Sequence, residues 1–257
     1  GYIGLEAADV LRARGLEVTL LEASRHVLGR PDDDVTAAVR GELARAGIEL
    51  RLESPVRSLQ PDRVNDIPCD MIVLATGLLP NVELAAAAGV RLGATGAIAV
   101  DERMETNLQG VFAAGDCAEA LHLVTGRPSY IPLGTTANRM GRIAGACAAG
   151  ARERFGGVAG TSIVKVVNLA VAATGLSPEM ARKEGFQPAS VSITALDRAK
   201  YFKGRPTTVA LAADRRTHRL LGGAVIGEAG VAGRINLIAA ALTCRMGVED
   251  FGQLDLA

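Results

Sequence analysis

The sequence predicts an α/β fold in which a doubly wound parallel unit is followed by an irregular middle segment and a separate α+β domain. Three observations carry that expectation. Helical and strand periodicities alternate over the first 78 residues, the pattern of strands joined by crossover helices. The alternation breaks at Leu78-Leu79-Pro80-Asn81, and a Gly156-Gly157 linker sets off the remaining hundred or so residues.

Leu5 to Arg14 places Ala, Leu and Val between charges at helical spacing, and Gly15 stands where a helix ends. Val18-Thr19-Leu20-Leu21 is a continuous apolar run of the kind found in buried parallel strands, closed by Glu22. A second helix is expected from Asp33 to Ala46, its acidic start (Asp32, Asp33, Asp34) complementing the helix dipole. Strands are expected at Ile48–Leu50 and Met71–Ala75, the latter running into Thr76-Gly77. In the middle segment, Ile98–Val100 and Val111–Ala114 read as short strands and Thr136–Ala149 as an Ala- and Gly-rich helix. Beyond the linker, Ser162–Val167 reads as a strand and Pro178–Glu184 as a short helix. Thr207–Ala212 and Leu220–Ile226 form an expected hairpin around Asp214-Arg215-Arg216-Thr217, and Val231–Met246 is a long helix.

Composition narrows the function. Lys+Arg and Asp+Glu both number 28, so net charge gives no reason to expect nucleic acid or an anionic membrane as partner. The longest apolar stretches, such as Ile235–Leu242, are too short to span a bilayer. Cys69, Cys117, Cys147 and Cys244 form no CxxC pair, and with His26, His122 and His218 scattered, no metal site is expected. Widely spaced thiols without a secretory signal point to the cytoplasm. Gly1 opens directly into a helical pattern and Gln253–Ala257 stops without a closing element, so both ends read as cut.

Two places carry chemistry. Gly1-Tyr2-Ile3-Gly4 shows the last two glycines of a G-x-G-x-x-G turn. There the backbone approaches a pyrophosphate and a helix N-terminus meets it with N–H groups. Glu22 ends the next strand at the spacing of the carboxylate that binds an adenosine ribose, which favours NADH over NADPH. Arg25 is close enough to complicate that preference, or is simply a solvated surface charge. The second place is Thr106-Asn107-Leu108-Gln109-Gly110-Val111-Phe112-Ala113-Ala114-Gly115-Asp116, a Thr, a turn, an apolar run and a terminal Gly-Asp. Gly115 lets backbone approach a ligand there, and Asp116 can accept hydrogen bonds from sugar or ribitol hydroxyls.

With these residues in view, the chain resembles the pyridine nucleotide-disulfide oxidoreductases, flavoproteins with two dinucleotide-binding domains. Thr106–Asp116 looks like their second FAD motif. Ala75-Thr76-Gly77 followed by Pro80-Asn81 resembles the crossover that ends their NAD domain. Tyr130–Arg139 with Gly141-Arg142 is similar to the segment beside the flavin in coenzyme A-disulfide reductases and NADH oxidases. Gly160–Ala257 looks like their dimerisation domain, notably at Thr174-Gly175-Leu176 and Gly227–Val231.

The resemblance implies three parts: a Rossmann-like NAD(P)-binding domain (1–78), the C-terminal part of an FAD-binding domain (79–155) and an α+β dimerisation domain (160–257). It implies a homodimeric enzyme that uses FAD and NADH, with NADPH possible. Hydride would pass from the nicotinamide to the flavin, and electrons on to a coenzyme A disulfide, a polysulfide or oxygen. Nucleotide contacts fall on Gly1, Tyr2, Ile3, Gly4, Glu22, Arg25, Thr76 and Gly77, and flavin contacts on Gly115, Asp116, Pro132, Leu133, Gly134 and Thr135. Asn138 falls where relatives contact the substrate's pantetheine arm. Tyr201, of the Tyr201-Phe202 pair, stands where a phenol protonates or orients a thiolate, and an interface tyrosine is the plainer reading. The family's N-terminal FAD fingerprint and redox cysteine have no counterpart in the chain, and Cys117 occupies a structural position. The segment between Leu50 and Asp70 is shorter than the family's usual hairpin insertion. Two other readings stay open: a non-catalytic NAD-binding dimeric module, and a flavin-dependent ferredoxin or rubredoxin reductase.

Overall fold

In a computed structural model that describes residues 1–256, the chain begins with helix α1 (Tyr2–Ala13), which buries Leu5 and Ala8 one turn apart. Gly15 ends it at φ +85°, with the Leu16 N–H donating to Leu11 O, a closure that needs the left-handed backbone glycine adopts freely. Strand β1 (Val18–Leu21) pairs in parallel with β2 (Ile48–Arg51), Val18 opposite Ile48. Between them lie a short 3₁₀ turn (Val27–Gly29) and helix α2 (Asp33–Arg45). Asp32 caps α2 by accepting from the Val35 N–H, and Asp33 and Asp34 fill its first turn, as the acidic start predicts. Three two-residue strands, β3 (Leu59–Gln60), β4 (Arg63–Val64) and β5 (Ile67–Pro68), form an antiparallel meander.

Met71–Ala75 does not form the expected strand. Its backbone lies alongside no partner ladder among the described residues, and Met71, Val73 and Leu74 are exposed. An apolar run becomes a strand only where a neighbour accepts its backbone hydrogen bonds. The expected strands at Ile98–Val100 and Val111–Ala114 likewise shrink to single bridges, Ile98 to Leu92 and to Ala118, and Phe112 to Glu105. These bridges, helix α3 (Glu83–Ala87), the paired strands β6 (Ala120–Leu121) and β7 (Pro128–Ser129) and helix α4 (Gly134–Ala148) build a unit from Leu78 to Ser162. Its core sets Met140, Ile143 and Cys147 of α4 against Val90, Met104, Ala118, Phe155 and Val158.

The remaining elements belong with residues 1–77 in the second compact unit. Strands β8 (Ser162–Val166), β9 (Leu169–Gly175), β10 (Pro188–Leu196), β11 (Pro206–Asp214) and β12 (Leu220–Gly227) form one sheet in the order β10-β11-β12-β9-β8, with helix α5 (Pro178–Lys183) between β9 and β10. Helices α6 (Val231–Thr243) and α7 (Val248–Gly252) follow. Alternation divides the two central strands between two cores. Ala172 and Val225 face α6 through Val231, Ile235 and Ile238. Val171, Ala224 and Ile226 join Leu5, Val27, Val35, Val39 and Leu43 on the other face. Buried Glu42 of α2 accepts from the Asn168 N–H at 3.0 Å, at the turn between β8 and β9. Arg30 donates from Nη1 to Gly175 O at 3.0 Å. No helix of the described residues is long and apolar enough to cross a membrane.

Candidate functional site

At the first site, helix α1 starts at Gly1 with no side-chain cap and no acidic residue in its first turn. Both features leave the positive end of the helix open to an anion. A Cβ on Gly4 would stand 3.5 Å from Ala75 Cβ and 4.0 Å from Leu20 Cδ1, so α1 is packed directly on β1 and on the 71–75 segment. Glu22 follows β1, its backbone N–H bound to Arg51 O and its carbonyl to the Ser54 N–H. Its carboxylate has a defined orientation. Oε1 accepts from the Ser24 N–H (3.0 Å) and hydroxyl (3.1 Å), while Oε2 lies 3.7 Å from the nitrogen of Gly1. The glycine turn and the predicted ribose-binding carboxylate are therefore adjacent. Thr76 and Gly77 are exposed, with Gly77 at φ +112° in open space.

Arg25 is turned elsewhere. Its Nη2 lies 3.4 Å from Asp33 Oδ1 and its Nε 3.3 Å from His26 Nε2, which is itself 3.0 Å from the same Asp33 oxygen. The His26 hydrogen bond, with help from the charge of Arg25, holds the Asp33 carboxyl below the usual carboxylate range.

The second site lies in the Leu78–Ser162 unit. Thr106 Oγ1 accepts from the Leu108 N–H, Glu105 from the Gly110 N–H, and Asn107 is bound to Arg91 N and Gly89 O, so the turn before the apolar run is fixed. Gly115 follows at φ +85°, and a Cβ there would stand 3.7 Å from Ala137 Cβ in the first turn of α4. That contact brings the Gly115-Asp116 turn against the start of α4, formed by Pro132, Leu133, Gly134 and Thr135. Helix α4 also begins with no side-chain cap and no acid in its first turn. Asp116 is exposed and its carboxylate has no hydrogen-bond or ion-pair partner among the described residues. An acceptor without an internal partner beside an open helix end suits a ligand carrying both hydroxyls and phosphate. Asn138 is exposed on the same helix.

Tyr201 sits in a 3₁₀ turn, 81% exposed, its ring 4.5 Å from that of Phe202. Three bracing residues were not among the sequence-predicted site residues. Ser24 holds Glu22 and is only two positions away, so its spacing was readable. Asp33 holds Arg25 across eight positions. Glu119, buried, accepts from the backbone N–H and hydroxyl of Thr95 (both 2.8 Å) across 24 positions, fixing the backbone just beyond Asp116.

Residues 1–149 match the sequence profile described as pyridine nucleotide-disulphide oxidoreductase, and residues 161–254 match the dimerisation domain of the same family. The NAD(P)H sulfur oxidoreductase (CoA-dependent) of Pyrococcus furiosus is 38% identical over 266 residues, covering 100% of this chain and 60% of its own length. An NADH oxidase of Methanocaldococcus jannaschii is 31% identical over 99% of this chain and 59% of its own length. The solved structure of a NAD-dependent persulfide reductase from A. fulgidus superposes with a TM-score of 0.96 at 34% identity, over 100% of this chain and 50% of that one. The chain thus spans about 60% of the length of the curated relatives it matches.

Proposed function

We propose that this chain, which belongs to the pyridine nucleotide-disulphide oxidoreductase family, serves a homodimeric enzyme that oxidises NADH and reduces a sulfur acceptor of the persulfide, polysulfide or coenzyme A-disulfide type. Residues 1–78 form its NAD(P)-binding domain, 79–155 the C-terminal part of its FAD-binding domain, and 160–257 its dimerisation domain. The observation that carries the reading is the Glu22 carboxylate, oriented by Ser24 beside the uncapped start of α1. That pair matches a dinucleotide, with ribose hydroxyls for the carboxylate and pyrophosphate for the helix end.

Gly1, Tyr2, Ile3 and Gly4 would contact the pyrophosphate, and Thr76 and Gly77 the far side of the nucleotide. The second site fits FAD in the same way: Asp116 offers an unpartnered carboxylate for ribitol hydroxyls, and the start of α4 offers the N–H groups of Gly134 and Thr135. Bound flavin would supply the two-electron redox chemistry. The protein's part is to hold, orient and desolvate. Gly115 keeps the backbone close to α4, and Glu119 with Thr95 keeps the Asp116 turn from shifting. Asn138 would meet the acceptor's pantetheine arm, and Tyr201 would orient or protonate a thiolate at the dimer. The names of the Pyrococcus sulfur oxidoreductase and of the persulfide reductase join nicotinamide with sulfur reduction and support this acceptor class, whereas that of the NADH oxidase names no sulfur acceptor.

The test is an anaerobic NADH titration of the flavin-loaded enzyme in which this chain is joined to the family's N-terminal FAD fingerprint and redox cysteine. Bleaching of the flavin absorbance, reversed by adding polysulfide, is expected. Bleaching reversed only by oxygen would reassign the acceptor, and no bleaching would refute the reading.

A further inference from the structure

We propose that Asp33 sets the coenzyme preference of the Glu22 site by tethering Arg25, an inference that rests on the nucleotide reading above. A 2′-phosphate differs from a 2′-hydroxyl by about two negative charges, so beside Glu22 it is repelled unless a cation answers it. Arg25 is placed to answer. It stands three residues past Glu22, with Ser24, which braces the Glu22 carboxylate, between them. In the structure its guanidinium is engaged in the other direction, by Asp33 at 3.4 Å and by the His26 ring at 3.3 Å.

The cluster is anchored at Asp33 rather than at His26. One His26 nitrogen, Nε2, serves both neighbours, 3.0 Å from Asp33 Oδ1 and 3.3 Å from Arg25 Nε. With a proton it donates to Asp33, and without one it accepts from Arg25, so it cannot do both at once. Asp33 accepts from Arg25 in either state. The His26 ring that hydrogen-bonds this carboxylate at 3.0 Å is itself buried, the residue being 7% exposed. Asp33 itself is exposed, with a side-chain accessibility of 83%, so it is available to hold a surface arginine without filling the core. A tether of this kind is the strength of one exposed ion pair. It biases the arginine instead of locking it, which suits a protein that favours one coenzyme while tolerating the other.

Calorimetric titration with NAD⁺ and NADP⁺ tests this without reliance on turnover. Asp33→Asn is expected to tighten NADP⁺ by roughly two- to fivefold, the scale of one exposed ion pair, with NAD⁺ unchanged. Asp33→Ser, which also keeps a good helix-start residue, is expected to do the same. Adding Arg25→Ala should abolish the gain. No gain in either single variant would overturn the proposal. A gain that survives in the double variant would also overturn it, because loss of negative charge alone would then be the cause. A wild-type protein that binds neither nucleotide would overturn the nucleotide reading and the tether with it. Binding of NAD⁺ weakened by Glu22→Ala, together with no effect at Asp33, would overturn the tether alone.

Discussion

Glu42 joins the α2 segment to the large sheet, and replacing it with Ala measures that link. The side chain is 3% accessible, and one oxygen accepts the Asn168 N–H at 3.0 Å. Arg45 approaches the other oxygen, but the arginine is 71% exposed, so that pair contributes at most about 1 kcal/mol. A hydrogen bond to a charged acceptor contributes about 1.5–3 kcal/mol, and because Asn168 is exposed, water can take up its N–H once the carboxylate is gone. Glu42→Ala should therefore cost about 1.5–3 kcal/mol, and Glu42→Gln, which keeps the oxygen and the volume, about 1 kcal/mol. Chemical denaturation measures the loss, and amide exchange at Asn168 locates it. A change below about 0.5 kcal/mol with Asn168 still protected would refute the reasoning.

Other sites give further tests. Gly175 sits at φ +62°, and a Cβ there would lie 2.3 Å from Leu221 O, so Gly175→Ala should cost about 3 kcal/mol or more, read by the denaturation midpoint. Burial opposes the charge on Asp214, but hydrogen bonds from the Thr217 hydroxyl and from the backbone of Gln187, Arg216 and Thr217 outweigh it and lower its pKa. Because the folded value lies below the unfolded one of about 3.9, this stabilisation is present above that pH and is lost as pH falls through the folded value. The penalty of Asp214→Asn should thus shrink from pH 6 to pH 3, and a penalty that grew on acidification would contradict it. Asp116→Ala should weaken flavin binding at least tenfold in fluorescence titration while leaving the thermal unfolding midpoint of the apoprotein unchanged, since its carboxylate has no internal partner.

Much of this fold could be read in the sequence because local signals coincided with tertiary ones. Helix α2 has its Asp32 cap, acidic first turn and buried Val35, Val39 and Leu43 at helical spacing. The start of α5 is written in Ser177-Pro178, whose serine accepts from the Met180 N–H. Strand β9 was missed because Leu169–Gly175 is rich in alanine, a weak strand former, and is held by neighbours on both sides. Strand β10 was missed for a different reason. It is an edge strand with side chains exposed along most of its length, so no alternation of buried and open positions marks it. Met71–Ala75 misled in the opposite direction, since its apolar run finds neither a ladder partner nor burial for most of its side chains among the described residues. At the sites, Gly1–Gly4, Glu22 and Gly115-Asp116 stood out because their spacing is that of a dinucleotide-binding turn. Asp33 and Glu119 act only through contacts that folding creates, and no spacing announces them.

The central claim is that Glu22 and the open start of α1 hold a nicotinamide dinucleotide. Its most direct test is calorimetric titration of the wild-type protein and Glu22→Ala with NAD⁺. The account predicts saturable binding to the wild type and affinity weaker by about tenfold in the variant, the loss of one or two charged hydrogen bonds. Equal affinity in the two proteins would contradict it.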